Sequence, residues 1–419
     1  MRVALVAQPY DGIVPPRQNS IGLIAYHTAM EMGRQEEVTL YGKRRSGVAS
    51  PGDLPFQVSF VSSVTDDVLQ YAANHYPRWA GLLGIPAVVD AYPGYARAIS
   101  RELDRSSPDV VHVMNYWSWC RRFKERTAKR RVVLEMQAEW LSQMDAGPVS
   151  KALEATDAVV GVSEHIARLF RASFPAYRGE IVTAYNGVDV EDFHPAPGHD
   201  VRRDDALRIL FVGRVSPEKG IHTLIEAFAR VASRVDKARL DIVGGRATLR
   251  EDFIVGISSD PLVRALKRFY DGSTGAEYQQ YLDGLVSRLG LKDKVRFLGH
   301  VPHRELPARY RSSAVVVNPS LSESFGISMV EGMACGLPVV GTKIGGMLET
   351  VLDGETGLLV EPERPDLLSD AVVSLLEDAD RAKRMGIRGR AQAVEHFSWR
   401  ARAERLLSAY RKIMNLECA

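Results

Sequence analysis

The chain has 419 residues, of which 45% are hydrophobic and 25% charged, and its 54 basic side chains nearly balance 52 acidic ones to give a formal net charge of +2. This balance gives no support to binding of nucleic acid or of a membrane by the protein as a whole. Three cysteines, Cys120, Cys335 and Cys418, lie far apart without CxxC spacing, which excludes a disulfide scaffold and disfavours a thiolate metal site. The length predicts two or three domains.

The apolar run at the N-terminus, Val-Ala-Leu-Val-Ala over residues 3–7, is about five residues long. A signal sequence needs an apolar region of roughly 7–15 residues. No other apolar run approaches the roughly 20 residues that span a bilayer. We therefore interpret residues 3–7 as a buried strand, and we expect a cytoplasmic protein.

Short apolar runs alternate with longer amphipathic segments along the whole chain. This alternation is typical of βα units and a mostly parallel sheet. Strands are predicted at residues 3–7, 38–41, 110–114, 132–136, 158–162, 181–184, 208–212, 240–243, 295–298, 314–318 and 339–341. Helices are predicted at residues 22–32, 91–105, 151–155, 164–173, 221–235, 278–289, 328–335, 366–377 and 381–395.

A linker is predicted at residues 192–206, where prolines, a glycine and a charge cluster separate two strand-like blocks. The sequence thus predicts an N-terminal domain over residues 1–190, a second over 191–395, and a final helix over 396–419 that packs on the second domain or crosses back to the first. The predicted fold class is α/β, with two Rossmann-like doubly wound domains facing each other across a cleft. Such sheets bind ligands at the carboxyl ends of their strands.

The segment FVGRVSPEKG at residues 211–220 follows a predicted strand and precedes a helix. Gly213 and Gly220 allow close approach of the backbone to a ligand. The planar fork of Arg214 and the point charge of Lys219 suit a diphosphate. The alternative is an ordinary strand-to-helix turn with solvated charges.

The segment NPSLSESFGISMVE at residues 318–331 reads as a strand end, a loop and a helix that starts near Gly326. The backbone amides of Phe325, Gly326 and Ile327 are expected to form an anion site at the helix start. Glu331, some two turns along the helix, is expected to bind ribose hydroxyls, and Glu323 a sugar hydroxyl or developing positive charge. The alternative is that Glu323 caps the helix and Glu331 is solvated.

A third glycine-bearing strand end, TKIGGMLE, occupies residues 342–349. Three such ends in one domain favour a single nucleotide-diphosphate site. The chain has no GxxxxGK[ST] loop and no GxGxxG after its first strand. It therefore favours neither an NTPase nor an ordinary dehydrogenase.

The run GRVSPEKG, the block at residues 318–360 and NGVD at residues 186–189 resemble the family 4 glycosyltransferases. The resemblance spans nearly all of the second half and, weakly, the first. Its most specific feature is the pair Glu323 and Glu331 with seven residues between them. The resemblance implies two domains in the GT-B arrangement, a nucleotide-sugar donor, retention of anomeric configuration, and no metal or other cofactor. It also implies that the final helix crosses back onto the first domain.

The resemblance also implies roles for particular residues. Arg214 and Lys219 would offset negative charge on the leaving phosphate, a form of electrostatic stabilisation that usually dominates such chemistry. The catalytic candidates are Arg214, Lys219, Glu323 and Gln137. The donor-binding candidates, with the loop after residue 299 bordering the base, are Asn19, Ser20, Gly213, Arg214, Lys219, His300, Val301, Glu323, Ser324, Phe325, Gly326, Ile327 and Glu331.

Two positions in the first half depart from the family pattern. Asn19 and Ser20 stand where family members usually have a Gly-Gly loop, so their amides still face a phosphate but their side chains crowd the approach. Gln137 stands where the family often has a histidine near the sugar. Glutamine hydrogen-bonds a hydroxyl but carries no proton at neutral pH. If that histidine matters for rate, this protein is slower, differently tuned or impaired.

Acceptor-binding residues are expected in the first half, after two neighbouring strands. The candidates are Tyr116, Glu139 and Trp140; the nearby residues Trp117, Trp119 and Glu135 also face the predicted cleft. Aromatic faces beside carboxylates suit a polyhydroxylated, cationic ring such as an aminocyclitol. The run EWLSQ at residues 139–143 resembles transferases of aminoglycoside antibiotic biosynthesis. The alternative is that the tryptophans pack and the glutamates are solvated.

Other polar residues are given simpler interpretations. His112, His165 and His300 lack metal-ligand spacing, so isolated structural roles are expected. The basic run RRFKERTAKRR at residues 121–131 would bind an anionic membrane near a lipid acceptor. Its favoured interpretation is a solvated helix face.

The sequence therefore predicts a retaining, metal-independent hexosyltransferase that moves glucose or N-acetylglucosamine from a UDP-linked donor to a hydroxyl of a small polar acceptor. One alternative is a transferase acting on a membrane lipid or polysaccharide. Another is a nucleotide-sugar epimerase, which would turn over the donor without an acceptor. A third is a non-catalytic nucleotide-sugar-binding protein, in which the departures at Gln137, Asn19 and Ser20 mark lost catalysis.

Overall fold

The computed structural model describes residues 1–15, 18–44, 52–75, 92–124, 129–196, 206–246, 251–270 and 276–415. Its strands form two separate sheets, each parallel throughout. The first sheet contains β1 (Arg2–Val6), β2 (Glu37–Lys43), β3 (Gln57–Val61), β4 (Val110–Met114), β5 (Arg131–Met136), β6 (Ala158–Gly161) and β7 (Glu180–Thr183). The second contains β8 (Leu207–Val212), β9 (Ala238–Val243), β10 (Val295–Gly299), β11 (Val315–Asn318), β12 (Val339–Thr342) and β13 (Gly357–Val360).

The strand orders are β3-β2-β1-β4-β5-β6-β7 and β10-β9-β8-β11-β12-β13. In each sheet the order reverses direction once, between β1 and β4 in the first and between β8 and β11 in the second. Doubly wound sheets bind ligands at this reversal, outside the carboxyl ends of the strands. The predicted α/β class with two doubly wound domains is confirmed.

Helices cover both sheets, and strands such as β4 are buried at every residue, as expected when both faces of a sheet are covered. In the first half the helices are α1 (Ser20–Met32), α2 (Val64–His75), α3 (Pro93–Ser106), α4 (Cys120–Lys124), α5 (Ala146–Leu153) and α6 (Glu164–Ser173). They continue with α7 (Ile221–Arg234), α8 (Glu251–Ile254), α9 (Pro261–Ala265), α10 (Ala276–Arg288), α11 (Leu306–Arg311), α12 (Ile327–Ala334), α13 (Met347–Thr350), α14 (Pro365–Glu377), α15 (Ala379–His396) and α16 (Trp399–Asn415). Within the described ranges, none of these helices is long and apolar enough to cross a membrane.

Several elements differ from the sequence prediction, among them the helices α2, α8, α9, α11 and α13, which it lacks. Strands β3 and β13 were not predicted: the residues of β3 are mostly half-exposed at a sheet edge, and β13 is four residues long and begins with a glycine. The helix predicted at residues 151–155 is the end of α5, which starts at Ala146. Its Gly-Pro pair resembles a helix breaker, but proline is tolerated in a first turn, and the Asp145 side chain caps the Gly147 amide.

The final helix, α16, packs against α1 in the first half of the chain. Trp399 stacks on His27 with ring centroids 5.1 Å apart, and Leu406 and Tyr410 are buried in the same apolar core as β1 and β2. The segment leading into α16 bonds back to the first half as well, since the Val188 amide donates to the Phe397 carbonyl at 2.7 Å. Part of the predicted linker, residues 197–205, lies outside the described residues.

Candidate active site

The centre of the candidate site is an ion pair between Lys219 and Glu323. Lys219 ends a short 3₁₀ turn after β8, Glu323 lies on the loop after β11, and their charged atoms are 2.8 Å apart. Both side chains are less than 20% exposed. Burial opposes ionisation of Glu323, but the Lys219 charge and hydrogen bonds from Asn318 and the Phe325 backbone hold its pKa below the usual range. The structure thus brings together two residues that are 104 positions apart in the sequence.

Arg214 lies in the same loop as Lys219 and is oriented by residues of that loop. Its Nε donates to the Ser216 hydroxyl at 3.3 Å and its Nη2 to Glu218 Oε1 at 3.0 Å. Glu218 is 1% exposed, so this buried carboxylate holds the Arg214 guanidinium in one orientation. These bonds use two of the five guanidinium N–H groups, and the side chain of Arg214 is still 35% exposed.

Glycines allow the strand-end loops to approach each other closely. Gly220 has φ of +65°, and a Cβ there would lie 2.1 Å from the Pro319 carbonyl oxygen. Gly244 has φ of +149°, and a Cβ there would lie 1.7 Å from the carbonyl oxygen of Gly213. Any other residue would push these loops apart. The loops that carry Arg214, Lys219 and Glu323 are therefore held in backbone contact.

The helix after Glu323 presents a bare start to the site. Gly326 is its N-cap, with φ of +91° and no side-chain cap, so the predicted alternative that Glu323 caps the helix is wrong. Ile327 is the first helical residue, and Ser324 and Phe325 precede the cap. The Phe325 ring is buried in the apolar core, and its backbone is already used, since its amide bonds to Glu323 and its carbonyl accepts from the Thr350 hydroxyl at 3.2 Å.

Glu331 is buried within the second half of the chain and is not solvated. It lies little more than one turn into α12, a turn earlier than predicted, and is 4% exposed. His303 Nε2 lies 2.8 Å from its Oε1, and the Tyr310 hydroxyl donates to its Oε2 at 2.6 Å. Although burial favours the neutral imidazole, the bond to Glu331 raises the pKa of His303. These two partners come from different short helices, and no local pattern in the sequence indicates them.

Gln137 is tied into a polar network at the end of β5. Its amide forms a reciprocal pair with the Asn186 amide, with N–O distances of 3.2 and 2.8 Å, and its Nε2 also donates to Glu135. Asn186 is the first residue of the NGVD segment, for which the sequence predicted no role. The two N–H groups of Gln137 are thus both used inside the protein, which leaves only its oxygen to accept a further bond.

Glu135 does not face the cleft, contrary to the prediction. It is fully buried, where Arg402 Nη2 lies 2.5 Å and His112 Nε2 lies 3.0 Å from its Oε2. Burial opposes its ionisation, but the Arg402 charge and bonds from His112 and Gln137 lower the pKa of Glu135 to about 2. Glu135 therefore joins β5 to the final helix.

The remaining donor candidates lie at loops of both halves. Asn19 caps α1 by accepting from the Gly22 amide at 3.0 Å and donates to Asp11 at 2.7 Å, so its side chain is turned back onto the protein. Ser20 is the first residue of α1. In the second half, His300 is exposed and Val301 half-buried in the loop after β10.

Tyr116 belongs to a cluster of aromatic rings at the reversal of the first sheet. It stacks on buried Trp119 at 4.1 Å, so Trp119 packs instead of facing a ligand. The Tyr116 ring also lies 6.4 Å from that of Tyr10 and 6.1 Å from that of Tyr92, and these two lie 6.3 Å apart. Tyr10 follows β1 and Tyr116 follows β4, the two strands that flank the reversal. Tyr10 and Tyr92 belong to no motif and were not among the predicted acceptor-binding residues.

Glu139 and Trp140 lie on a 3₁₀ turn after β5, and both are half-buried. Glu139 Oε1 lies 2.8 Å from Nε2 of His165, the second residue of α6. The prediction of an isolated structural role for His165 is therefore wrong, because its ring pairs with Glu139. Because the partner of Glu139 lies 26 residues away in sequence and on another element, no local pattern predicted this pair.

The described part of the basic run at residues 121–131 is partly used inside the protein. Lys124 and Arg131 both contact the Asp157 carboxylate, at 2.8 and 3.1 Å. Arg130 is 3% exposed and donates to the backbone carbonyls of Phe123 and Leu103. These three charges are used within the protein, where they hold α4 and β5 together.

Two family profiles match the chain: Glycosyltransferase Family 4 over residues 52–192, and Glycosyl transferases group 1 over residues 198–392. D-inositol 3-phosphate glycosyltransferase of Kribbella flavida is 32% identical over 316 residues, which cover 74% of this chain and 66% of that protein. The protein of the same name from Streptomyces avermitilis is 28% identical, covering 86% and 71%. Spore coat protein SA of Bacillus subtilis is 27% identical, covering 76% and 82%.

Solved structures share the fold across the whole chain. Sucrose-phosphate synthase of Thermosynechococcus elongatus aligns with a TM-score of 0.72 and 21% identity, covering 99% of this chain and all of that one. Anabaena HepE, solved with UDP and glucose, aligns with a TM-score of 0.68 and 18% identity, covering 98% and 100%. The two sheets and their facing carboxyl ends thus define a GT-B fold. The chain belongs to the family 4 glycosyltransferases, as its motifs predicted.

Proposed function

We propose that the protein is a retaining glycosyltransferase that moves glucose or N-acetylglucosamine from a UDP-linked donor to a hydroxyl of a small polar ring. The observation that carries this proposal is the Lys219–Glu323 ion pair, 2.8 Å long and less than one-fifth exposed, with the oriented Arg214 in the same loop as Lys219. Two cations at loops with closely approaching backbones suit the diphosphate of a nucleotide sugar. Charge that builds on the leaving phosphate is then offset by groups already in place.

The parts of the donor fall to different elements in this proposal. The diphosphate lies against Arg214, Lys219 and the bare start of α12, where the helix dipole favours an anion. The ribose takes the two remaining acceptor positions of Glu331, since a carboxylate has about four lone-pair sites and two are occupied by His303 and Tyr310. Glu323 contacts the transferred sugar and is kept ionised by Lys219. No step uses a metal ion.

The acceptor lies against the first half of the chain. The three tyrosines of the cluster, Tyr10, Tyr92 and Tyr116, stand at the reversal of strand order, where a doubly wound sheet binds its ligand. Aromatic faces suit the C–H face of a polyhydroxylated ring, and the Glu139 carboxylate suits its hydroxyl or amino groups. Relatives named for D-inositol 3-phosphate act on a ring of this class. An aminocyclitol acceptor, and with it a role in antibiotic biosynthesis, is one specific form of the proposal.

The first test is thermal unfolding with UDP, GDP, ADP and TDP. A ligand at 100 times its dissociation constant adds about 2.7 kcal/mol, which a melting curve resolves. Transfer from UDP-glucose and UDP-N-acetylglucosamine to inositol, inositol phosphate and an aminocyclitol follows. K219A is expected to lose at least a hundredfold in turnover, and K292A, which removes an exposed lysine, serves as the control.

Turnover of K219A within threefold of the parent protein would refute the assigned role. The α configuration of the product, read by proton NMR, tests retention with an α-linked donor, and a β product refutes it. Activity unchanged by EDTA supports a metal-independent reaction. Donor consumption without acceptor would favour the epimerase, and UDP binding without any transfer would favour the binding protein.

A further inference from the structure

A carboxylate from the second half of the chain occupies a helix start in the first half. Glu349, in α13, accepts from the backbone amides of Glu164 at 2.7 Å and His165 at 2.6 Å. The Tyr185 side chain lies beside the same carboxylate, and burial together with the Glu349 charge raises the pKa of Tyr185. This contact crosses the cleft between the two sheets.

The start of α6 is built to receive this charge. Glu164 and His165 are its first two residues, and their amides have no partner within the helix. The Ser163 side chain accepts from the third amide, that of Ile166, at 3.3 Å. The helix dipole adds to the attraction, since partial positive charge collects at a helix N-terminus. Glu349 thus completes the capping of a helix that belongs to the other half of the protein.

On the donor side, the residues just before Glu349 in the chain, 345–348, connect it to the loop that carries Glu323. The Gly346 amide donates to the Glu323 carbonyl at 3.0 Å, and a Cβ at Gly345 would lie 2.1 Å from that same oxygen. The glycine pair is therefore in backbone contact with the loop that carries Glu323. This contact sets the position of Glu349 relative to the loop of Glu323, which holds Lys219 at 2.8 Å whether or not Glu349 is present.

On the acceptor side, Glu349 fixes the backbone of His165, and the His165 ring holds Glu139 at 2.8 Å. The His165 ring also lies 3.7 Å from the position that a Cβ at Gly345 would take. The Tyr185 ring stacks on that of Phe325, with centroids 6.0 Å apart. The two halves therefore meet through packed rings as well as through the carboxylate.

We propose that Glu349 is a positioning residue: it fixes the distance between the acceptor-side pair Glu139–His165 and the donor-side pair Lys219–Glu323. This role rests on the function proposed above, because it matters for transfer between two substrates held by different halves. Glu349 itself touches neither substrate. Removing it should leave donor binding intact and slow transfer, because the donor contacts lie within the second half alone.

The test compares E349Q and E349A with E355Q, which changes an exposed glutamate of the same half whose nearest basic partner, Arg388, is 3.7 Å away. Glutamine at position 349 has one oxygen for two amides and turns its own N–H groups toward the helix start. Three quantities are measured: the Kd of UDP by calorimetry, the kcat and KM for transfer, and hydrogen exchange at the start of α6. Hydrogen exchange reports the contact without requiring any catalysis.

We expect both variants to exchange the α6 amides at least tenfold faster and to lose at least tenfold in kcat/KM for the acceptor, with the Kd of UDP within twofold of the parent protein. E349D, which keeps the charge on a shorter side chain, should recover part of both losses. Exchange and transfer equal to those of E355Q would overturn the proposal, as would a parallel loss of UDP affinity. If the parent protein binds UDP but transfers nothing, the proposed function fails, while exchange still decides whether the contact forms in solution.

Discussion

Replacement of Arg402 by methionine should destabilise the protein strongly. Arg402 is 1% exposed and makes four contacts from the final helix: to Thr28 at 2.9 Å, to the carbonyls of Ala184 and Tyr185 at 2.9 and 3.3 Å, and to Glu135 at 2.5 Å. Methionine fills part of the volume but replaces none of these bonds. The fully buried Glu135 carboxylate would then lose its main counter-charge.

The expected cost is about 3–5 kcal/mol, the usual result of breaking one partner of a buried ion pair. The pKa of Glu135 agrees in sign: burial opposes its ionisation, but the Arg402 charge with bonds from His112 and Gln137 lowers this pKa from 4.5 to about 2, so the ionised form is stabilised in the folded protein. Because the folded pKa is below the unfolded one, this contribution is present above pH 4.5 and is lost as the pH falls toward 2. At pH 7 the full effect of the substitution should be observed.

Urea unfolding at pH 7 measures the change, with R400M as the control. Arg400 lies on the same helix, is 79% exposed and pairs with Glu404 at the surface, so R400M should change stability by less than about 0.5 kcal/mol. The double variant E135Q/R402M removes the uncompensated charge and should be about 2 kcal/mol more stable than R402M. A loss below about 1 kcal/mol in R402M, or a double variant no more stable than R402M, would refute this reasoning.

Three further predictions concern the donor, the acceptor and acid stability. E331Q should raise the Kd of UDP at least tenfold, about 1.4 kcal/mol, because the ribose loses its carboxylate, and an unchanged Kd in calorimetry excludes that role. Y10A and Y92A should each raise the acceptor KM about tenfold with the Kd of UDP unchanged, and a parallel loss of UDP affinity contradicts an acceptor role. Burial lowers the pKa of His27 from 6.5 to about 4. As the pH falls, His27 is therefore protonated in the unfolded state before it is protonated in the folded state. Up to about 3 kcal/mol of the stability present above pH 6.5 is lost by pH 4. H27F should flatten that profile in urea unfolding, whereas a profile parallel to that of the parent protein excludes His27 as its cause.

The donor half of the site was predictable because its residues are local to strand ends. Arg214 and Lys219 lie within one loop, and the segment from Glu323 to Glu331 lies within one loop and one helix. Parallel strands bring their carboxyl ends to one edge, so the order of elements along the chain was enough to expect these residues together. Tyr10, by contrast, is a single tyrosine in a loop that carries no motif.

The polar network around Gln137 could not be predicted, because its partners come from distant parts of the chain. Arg402 lies in a helix rich in arginine, and nothing in the sequence separates the one buried arginine from its exposed neighbours. Its burial follows from how α16 packs on α1, a tertiary contact. The prediction that Glu135 faces the cleft failed for the same reason. A carboxylate at the end of a strand is typical of a ligand-binding group, and only the tertiary structure shows that Arg402 is its counter-charge.

Residues 184–186 connect the final helix to both sides of the candidate site. Arg402 donates to the carbonyl of Tyr185, and Asn186 pairs with Gln137. The Tyr185 ring stacks on that of Phe325, just before α12. A change at Arg402 therefore reaches the packing between the two halves although Arg402 is buried away from the cleft. The donor contacts of Lys219 do not pass through this segment. It follows that R402M, studied where it remains folded, should reduce transfer by a larger factor than it reduces UDP affinity.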